Sequence, residues 1–317
     1  MDPNFVRDSP APSGPFEGQG VVVMTGATAG IGQLAAQRIN GVTRARLIVG
    51  ARGAPPRWGE ALKLDLASLA SVRSFAATVE KEIAGAKIDV LILNAALGAA
   101  QAGAVTEDGF EATFAVNHLA HYLLLRLLTP LLATGARVVI TTSNTHDPRT
   151  SPAPPRHADA IRLAHPETDP ERDRSAFTGA FRAYSSSKLC NLLTARALAV
   201  SPFARERKLT VIAFNPGFTP GTGLGRNLPL PLRLAMQVVP WIIGRFRRIN
   251  TAAHGGETLA DLALGRIEPP EGRLYASIVS RELTWPDPSE LAQNDGVMAK
   301  LWGDSAHLVG DPTPELP

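Results

Sequence analysis

Val21 to Gln33 reads VVVMTGATAGIGQ, a run of β-branched and apolar residues that ends in three closely spaced glycines and then a helix-forming stretch. A chain that leaves a strand at Thr25 and enters a helix by Ile31 must turn within a few residues. Glycine permits the backbone angles such a turn needs. It also lets backbone N–H groups approach a phosphate closely and lets the helix pack tightly on the strand. The N-terminus of the following helix then adds partial positive charge toward a diphosphate. Gly26, Thr28, Gly30, Ile31 and Gly32 are accordingly the candidate residues of a dinucleotide-binding turn. Glycine-rich turns are common, and the flanking strand and helix are what give this one its meaning.

The rest of the chain repeats the rhythm. Strands are predicted at Val21–Thr25, Arg46–Val49, Ile88–Leu93, Arg137–Thr141, Leu209–Phe214 and Arg273–Ile278. Helices are predicted at Ile31–Ile39, Ser68–Ile83, Gly109–Leu132 and Tyr184–Val200. Alternation of this kind implies βαβ units and a parallel sheet buried on both faces. The expected fold is therefore α/β, a single-domain Rossmann-type doubly wound parallel sheet with helices on both faces. A flexible arm over residues 1–17 should precede a domain spanning 18–312. Two segments break the pattern: a polar, proline-rich loop at 147–175, and a stretch at 217–250 read as a substrate flap rich in apolar residues.

Bulk composition narrows the function. With 32 basic and 29 acidic residues the chain is nearly neutral, and no clustered charge argues for nucleic acid. The single cysteine, Cys190, rules out an internal disulfide and suits a reducing, cytoplasmic setting. Neither 118–135 nor 228–244 offers about 18 uninterrupted apolar residues, and the N-terminal stretch has no apolar core, so no transmembrane segment or leader is expected. His118, His121 and His146 lack metal-ligand spacing with cysteines or carboxylates, so no metal is expected.

The end of the second strand addresses cofactor choice. An acidic residue there would hold a ribose 2′-hydroxyl, whereas arginine suits a 2′-phosphate. The sequence LIVGARG has no carboxylate and places Arg52 at that point, which favours NADPH over NADH. Tyr184 and Lys188 in AYSSSKLCN lie four residues apart on a predicted helix and so share a face. An ammonium beside a phenol favours tyrosinate and would bring its pKa toward the working range.

Thr25–Gly32, Asp65-Leu66, Asn94-Ala95-Ala96, Val116-Asn117-His118, Ser143, Tyr184 with Lys188 and Asn215-Pro216-Gly217 stand in the order found in short-chain dehydrogenases/reductases. The chain resembles that family over roughly residues 18–310. EDGFEATFAVNHLAHYLLLRLL and AKLWGDSAHLVG look like its retinol dehydrogenase branch, while SNTHDP, SKLCN and PGFTPGTGL look equally like light-dependent protochlorophyllide reductases. The resemblance implies that Tyr184 donates a proton to a carbonyl oxygen, that Lys188 lowers its pKa and binds the nicotinamide ribose, and that Ser143 holds the substrate oxygen. Thr142 is the alternative to Ser143. It further implies that Asn117 supports a proton relay, that Asp65 and Leu66 lie at the adenine edge, that Asn94 and Ala95 flank the cofactor, and that Pro216 and Gly217 belong to the cofactor site.

The expected activity is hydride transfer between NADP(H) and the carbonyl or alcohol of an apolar or aromatic small molecule. Two alternatives are a light-dependent C=C reductase of a protochlorophyllide-like tetrapyrrole, whose members carry a cysteine at the place of Cys190, and a non-catalytic NADP-binding regulatory protein. The departures from the family pattern are Ala96 in place of a glycine and the 41-residue separation of Ser143 and Tyr184. Leu119–Leu132 can pack within a monomer or between the subunits of a homo-oligomer, and the sequence leaves both open.

Overall fold

The computed structural model describes residues 16, 18–53, 55–98, 103–219 and 250–311. Residues 1–15 and 17 of the expected arm, and 220–249 of the expected flap, lie outside the described residues.

Eight strands form one sheet: β1 (Val21–Thr25), β2 (Arg46–Ala51), β3 (Glu60–Lys63), β4 (Ile88–Leu93), β5 (Leu132–Thr141), β6 (Thr210–Asn215), β7 (Tyr275–Val279) and β8 (Glu282–Thr284). Their order is β3-β2-β1-β4-β5-β6-β7-β8, parallel throughout except for the final antiparallel pair. The order reverses between β1 and β4, which opens a crevice at the carboxyl ends of those strands. The α/β doubly wound sheet read from the sequence is thus the observed fold.

Strand residues alternate between two cores. Val21, Val23, Leu91 and Leu93 join one apolar cluster, and Val22, Met24, Val90 and Ile92 join the other. Such alternation follows from the two-residue period of a strand. The second cluster is covered by α1 (Gly30–Val42) and by the helix Ala252–Ala263. The first is covered by α2 (Leu69–Ile83), by the helical segment from Ala112, by Ala176–Val200 and by the late helix Asp295–Leu308.

Several boundaries differ from expectation. The predicted helix over Gly109–Leu132 is composite: α3 (Ala112–Phe114), a π-turn at Ala115–Leu119, α4 (Ala120–Leu128) and a 3₁₀ turn at Thr129–Leu131. Gly109 lies outside it with φ +85°, and Leu132 already belongs to β5. The loop at 147–175 is organised, containing α5 (Ala160–Ala164) and the ion pairs Arg162–Glu171 at 2.8 Å and Arg182–Asp173 at 2.6 Å. The helix bearing Tyr184, α6 (Ala176–Val200), starts eight residues before its predicted start, at a Ser175 cap whose hydroxyl accepts from the Thr178 N–H. Four further helices follow among the described residues: α7 (Pro202–Glu206), α8 (Ala252–Ala263), α9 (Glu290–Gln293) and α10 (Asp295–Leu308).

Leu119–Leu132 packs inside the chain. The Tyr122 ring meets Trp302 of α10 edge-on at 4.9 Å and its hydroxyl donates to the Trp302 carbonyl at 3.0 Å.

Candidate active site

The glycines of the first turn are there for close approach. Gly26 and Gly30 have φ of +72° and +57°, the left-handed region that glycine adopts most readily. A Cβ on Gly32 would lie 2.0 Å from the Gly26 carbonyl oxygen, so α1 can start against β1 only without a side chain there. Ala29 caps α1 with no side-chain hydrogen bond, and the first turn holds no acidic residue. The leading N–H groups therefore suit an anion at the helix N-terminus. The start of α8 seals this end: a Cβ on Gly255 would sit 3.3 Å from the Ile31 side chain and 3.6 Å from Pro216. Two buried polar atoms of this segment, Asn250 Oδ1 and His254 Nε2, have no hydrogen-bond partner among the described residues. An uncapped helix start and glycine-only contacts at the end of β1 fit a dinucleotide.

The neighbouring residues form a hydrogen-bonded frame. Asn94 donates from Nδ2 to the Gly26 carbonyl at 3.2 Å and accepts at Oδ1 from Thr141 at 3.1 Å. Its own N–H and that of Ala95 both donate to Thr25 Oγ1, at 3.0 and 3.1 Å. Asp65 accepts from the Ala67 N–H at 3.0 Å, while the cap of α2 is Ser68 and not Asp65. Leu66 is buried beside it and Arg52 is exposed just past β2. Thr28 is exposed on the turn, and Gly217, with φ +71°, lies against the Ile278 carbonyl, 2.6 Å from where a Cβ would be.

Tyr184, Ser143 and Lys188 converge at the carboxyl end of β5. The Ser143 side chain is near enough to the Tyr184 hydroxyl to draw its pKa down, against the effect of burial. Thr142 is committed elsewhere, donating to the Lys188 carbonyl at 2.6 Å, which leaves Ser143 as the hydroxyl that faces the phenol. Lys188 is 1% exposed; its ammonium lies 5.8 Å from the Tyr184 ring centre and donates to the Thr141 carbonyl at 3.2 Å. Asn117 sits in the π-turn, fully buried, where its amide brackets Leu97, accepting from that N–H at 2.7 Å and donating to that carbonyl at 3.0 Å. It also donates to Ser187 Oγ at 3.0 Å.

The expected electrostatics need correction. Burial pushes the Tyr184 phenol up to about 12, the Ser143 hydrogen bond pulling the other way. Burial also pushes Lys188 down to about 7. Burial disfavours the charged form of both groups, so the phenol is held protonated.

Other features sort themselves by contact. Cys190 is fully buried in the core on the far side of the sheet from α1. His118, His121 and His146 bond to Ser305, to Thr25 and Asn117, and to Ser143 respectively. His157, Asp169 and Glu171 bring ligand atoms within 4.8 Å of one another, but both carboxylates already accept from Arg162. A cavity of about 650 Å³ lies against another face of α6, lined by Val105, Phe114, Leu163, Ala180 and Ala183, and does not include Tyr184. The sequence reading missed Thr25 as a hydroxyl hub and His121 as its partner; the one local signal was the four-residue spacing of Asn117 and His121.

These features match known proteins. Residues 20–151 match the short chain dehydrogenase family model. The chain is 33% identical over 254 residues to Retinol dehydrogenase 14 of Homo sapiens, covering 78% of this chain and 66% of that protein. It is 33% identical to Protochlorophyllide reductase A, chloroplastic, of Oryza sativa subsp. japonica, covering 92% and 81%. A solved structure of an uncharacterized Mycobacterium paratuberculosis protein superposes with TM-score 0.69 at 27% identity, covering 96% of this chain and 97% of that one. The chain belongs to the short-chain dehydrogenase family and is an oxidoreductase of it. Within that family it stands with the branch that holds the retinol dehydrogenases and the protochlorophyllide reductases.

Proposed function

We propose that this protein transfers hydride between NADP(H) and the carbonyl or alcohol carbon of an apolar or aromatic small molecule. One observation carries the reading: Tyr184, Lys188 and the Thr141–Ser143 segment meet at the carboxyl end of β5, next to the crevice where the strand order reverses. The turn Gly26–Gly32, Asn94, Ala95, Pro216 and Gly217 would hold the dinucleotide, with Asp65 and Leu66 at its adenine end and the exposed Arg52 taking a 2′-phosphate. When bound, the nicotinamide supplies the hydride. Ser143 would hold the substrate carbonyl oxygen next to the Tyr184 hydroxyl, polarising it. As negative charge builds on that oxygen, Tyr184 gives up its proton to an alkoxide far more basic than a phenolate. A phenol held protonated suits this direction. Lys188, anchored on the Thr141 carbonyl, would fix the approach of the ribose, and Asn117 would hold the floor of the relay.

One face of α6 supports this substrate class. Phe177, Phe181, Tyr184 and Lys188 recur at steps of four, three and four residues and so form one stripe. Phe177 is 58% exposed, and Phe218, next to Gly217, is 55% exposed. Exposed aromatic surface on the α6 stripe that carries Tyr184 suits an apolar or aromatic substrate. The light-dependent alternative would lean on Cys190, which is fully buried in the apolar core.

The test is a panel of aromatic and aliphatic ketones and aldehydes, with protochlorophyllide, mixed with NADPH in darkness and under light. Oxidation of NADPH in darkness with aromatic carbonyls is expected. Turnover confined to illumination, or tight NADPH binding with no turnover of any compound, would overturn it.

A further inference from the structure

His121 is buried and lies on α4, one turn beyond Asn117. Its ring touches two oxygens: Nε2 is 3.0 Å from Thr25 Oγ1, and Nδ1 is 3.1 Å from the Asn117 carbonyl. A carbonyl only accepts, so Nδ1 must carry a proton. A hydroxyl has one proton and two lone pairs. Both lone pairs of Thr25 Oγ1 are taken by the N–H groups of Asn94 and Ala95, at 3.0 and 3.1 Å. Thr25 must therefore donate to Nε2, which must be bare. The ring is neutral, and only one tautomer satisfies every partner.

We infer that His121 is a positioning residue that ties the π-turn of Asn117 to the cofactor-binding turn. The chain of bonds is continuous. It runs from the Asn117 carbonyl through the imidazole to Thr25, then to the backbone of Asn94 and Ala95, and through the Asn94 amide to the Gly26 carbonyl. Thr25 closes β1 and Gly26 opens the turn, so this strut fixes how far the turn stands from the end of β4. Its neighbours suit a neutral ring: Lys188 and His118 are the titratable groups that face it, and a charge on either disfavours one on His121. The inference rests on the reading of Gly26–Gly32 as the cofactor site, but the ring state does not.

Two measurements test it. With ¹⁵N-labelled histidine, the seven rings are resolved and the His121 signals identified by their loss in His121→Gln. A protonated Nδ1 and a bare Nε2 are expected at about pH 7. A protonated Nε2, or a cationic ring, would overturn the strut. His121→Phe should then weaken NADPH binding by about tenfold, the equivalent of one buried hydrogen bond, with the KM for NADPH rising more than kcat falls. Thr25→Val, which cuts the strut at its other end, should give the same split and covers the case that His121→Phe does not fold. NADPH affinity unchanged in either folded variant would overturn the positioning role. A wild type that binds no pyridine nucleotide would remove the cofactor reading instead, leaving the tautomer to decide the bond chain.

Discussion

Arg52 shows how much one side chain can carry. It is exposed directly after β2, where the cofactor reading needs a cation and where no carboxylate competes. A guanidinium–phosphate bond is charge-assisted and contributes about 1.5–3 kcal/mol. Arg52→Ala should therefore raise the KM for NADPH by roughly 10- to 100-fold and leave that for NADH nearly unchanged. Equal effects on both nucleotides would mean that Arg52 is a solvated surface residue. At this scale the sequence was readable where chemistry is local. Tyr184 and Lys188 stand out by spacing, and Thr142 is bound to the Lys188 carbonyl, which is why Ser143 is the hydroxyl proposed for the substrate oxygen. The hub at Thr25 was not readable, because its partner His121 is 96 residues away. The sense of the Tyr184 shift was also hidden, since burial of both groups outweighs their proximity.

Elements were legible in proportion to their apolar content. The central strands are near-continuous runs of Val, Ile and Leu, as a sheet covered on both faces requires. β3, with the sequence EALK, is an edge strand with mostly exposed residues, and β8 has three residues; neither carries a hydrophobic signal. The segment from Gly109 to Leu132 is apolar nearly all round, so periodicity could not show where the helix gives way to a π-turn. That turn is what sets Asn117 against Leu97 and Ser187. The entry to α1 makes the sharpest demand of any element. Gly32→Ala would put a methyl 2.0 Å from the Gly26 carbonyl oxygen, a contact relieved only by moving α1 off the turn. The expected outcome is loss of NADPH binding by at least about tenfold together with a lower Tm, as backbone clashes in packed sites typically destabilise by 1–3 kcal/mol. Wild-type affinity and stability in that variant would contradict the packing described here.

For the whole molecule, the late helix α10 closes over α4 and α6, burying Trp302 against Tyr122 and bonding Ser305 to His118. The sequence showed that these segments were helical but not which faces would meet, since the pairs lie 180 and 187 residues apart. Burying two histidines has a consequence for stability. Burial holds His118 down to about 3 and His121 down to about 4, both from 6.5. Between pH 6.5 and 4 the unfolded chain therefore binds two protons that the native state refuses, and stability falls as pH falls. Each ring contributes up to about 1.4 kcal/mol per pH unit in that window. Lys188 adds the same sign higher up, because the unfolded chain holds its proton to 10.5 and the native state only to about 7, so stability from this group rises with pH across that span. Denaturant unfolding at about pH 7 and about pH 5 should show the loss, and His118→Gln should flatten it. A pH-independent midpoint across that range would contradict the buried, neutral state of these rings.

The central claim, that the Tyr184 hydroxyl delivers the proton beside a bound nicotinamide, is tested most directly by Tyr184→Phe. NADPH affinity, read from the fluorescence of the reduced nicotinamide, is compared with steady-state reduction of the best carbonyl substrate. The expected result is affinity within about twofold of wild type and kcat/KM lower by roughly 100- to 10,000-fold, the usual contribution of a positioned acid. Turnover within about threefold of wild type in a variant that binds NADPH normally would contradict it, since so small a change is no loss of general acid catalysis.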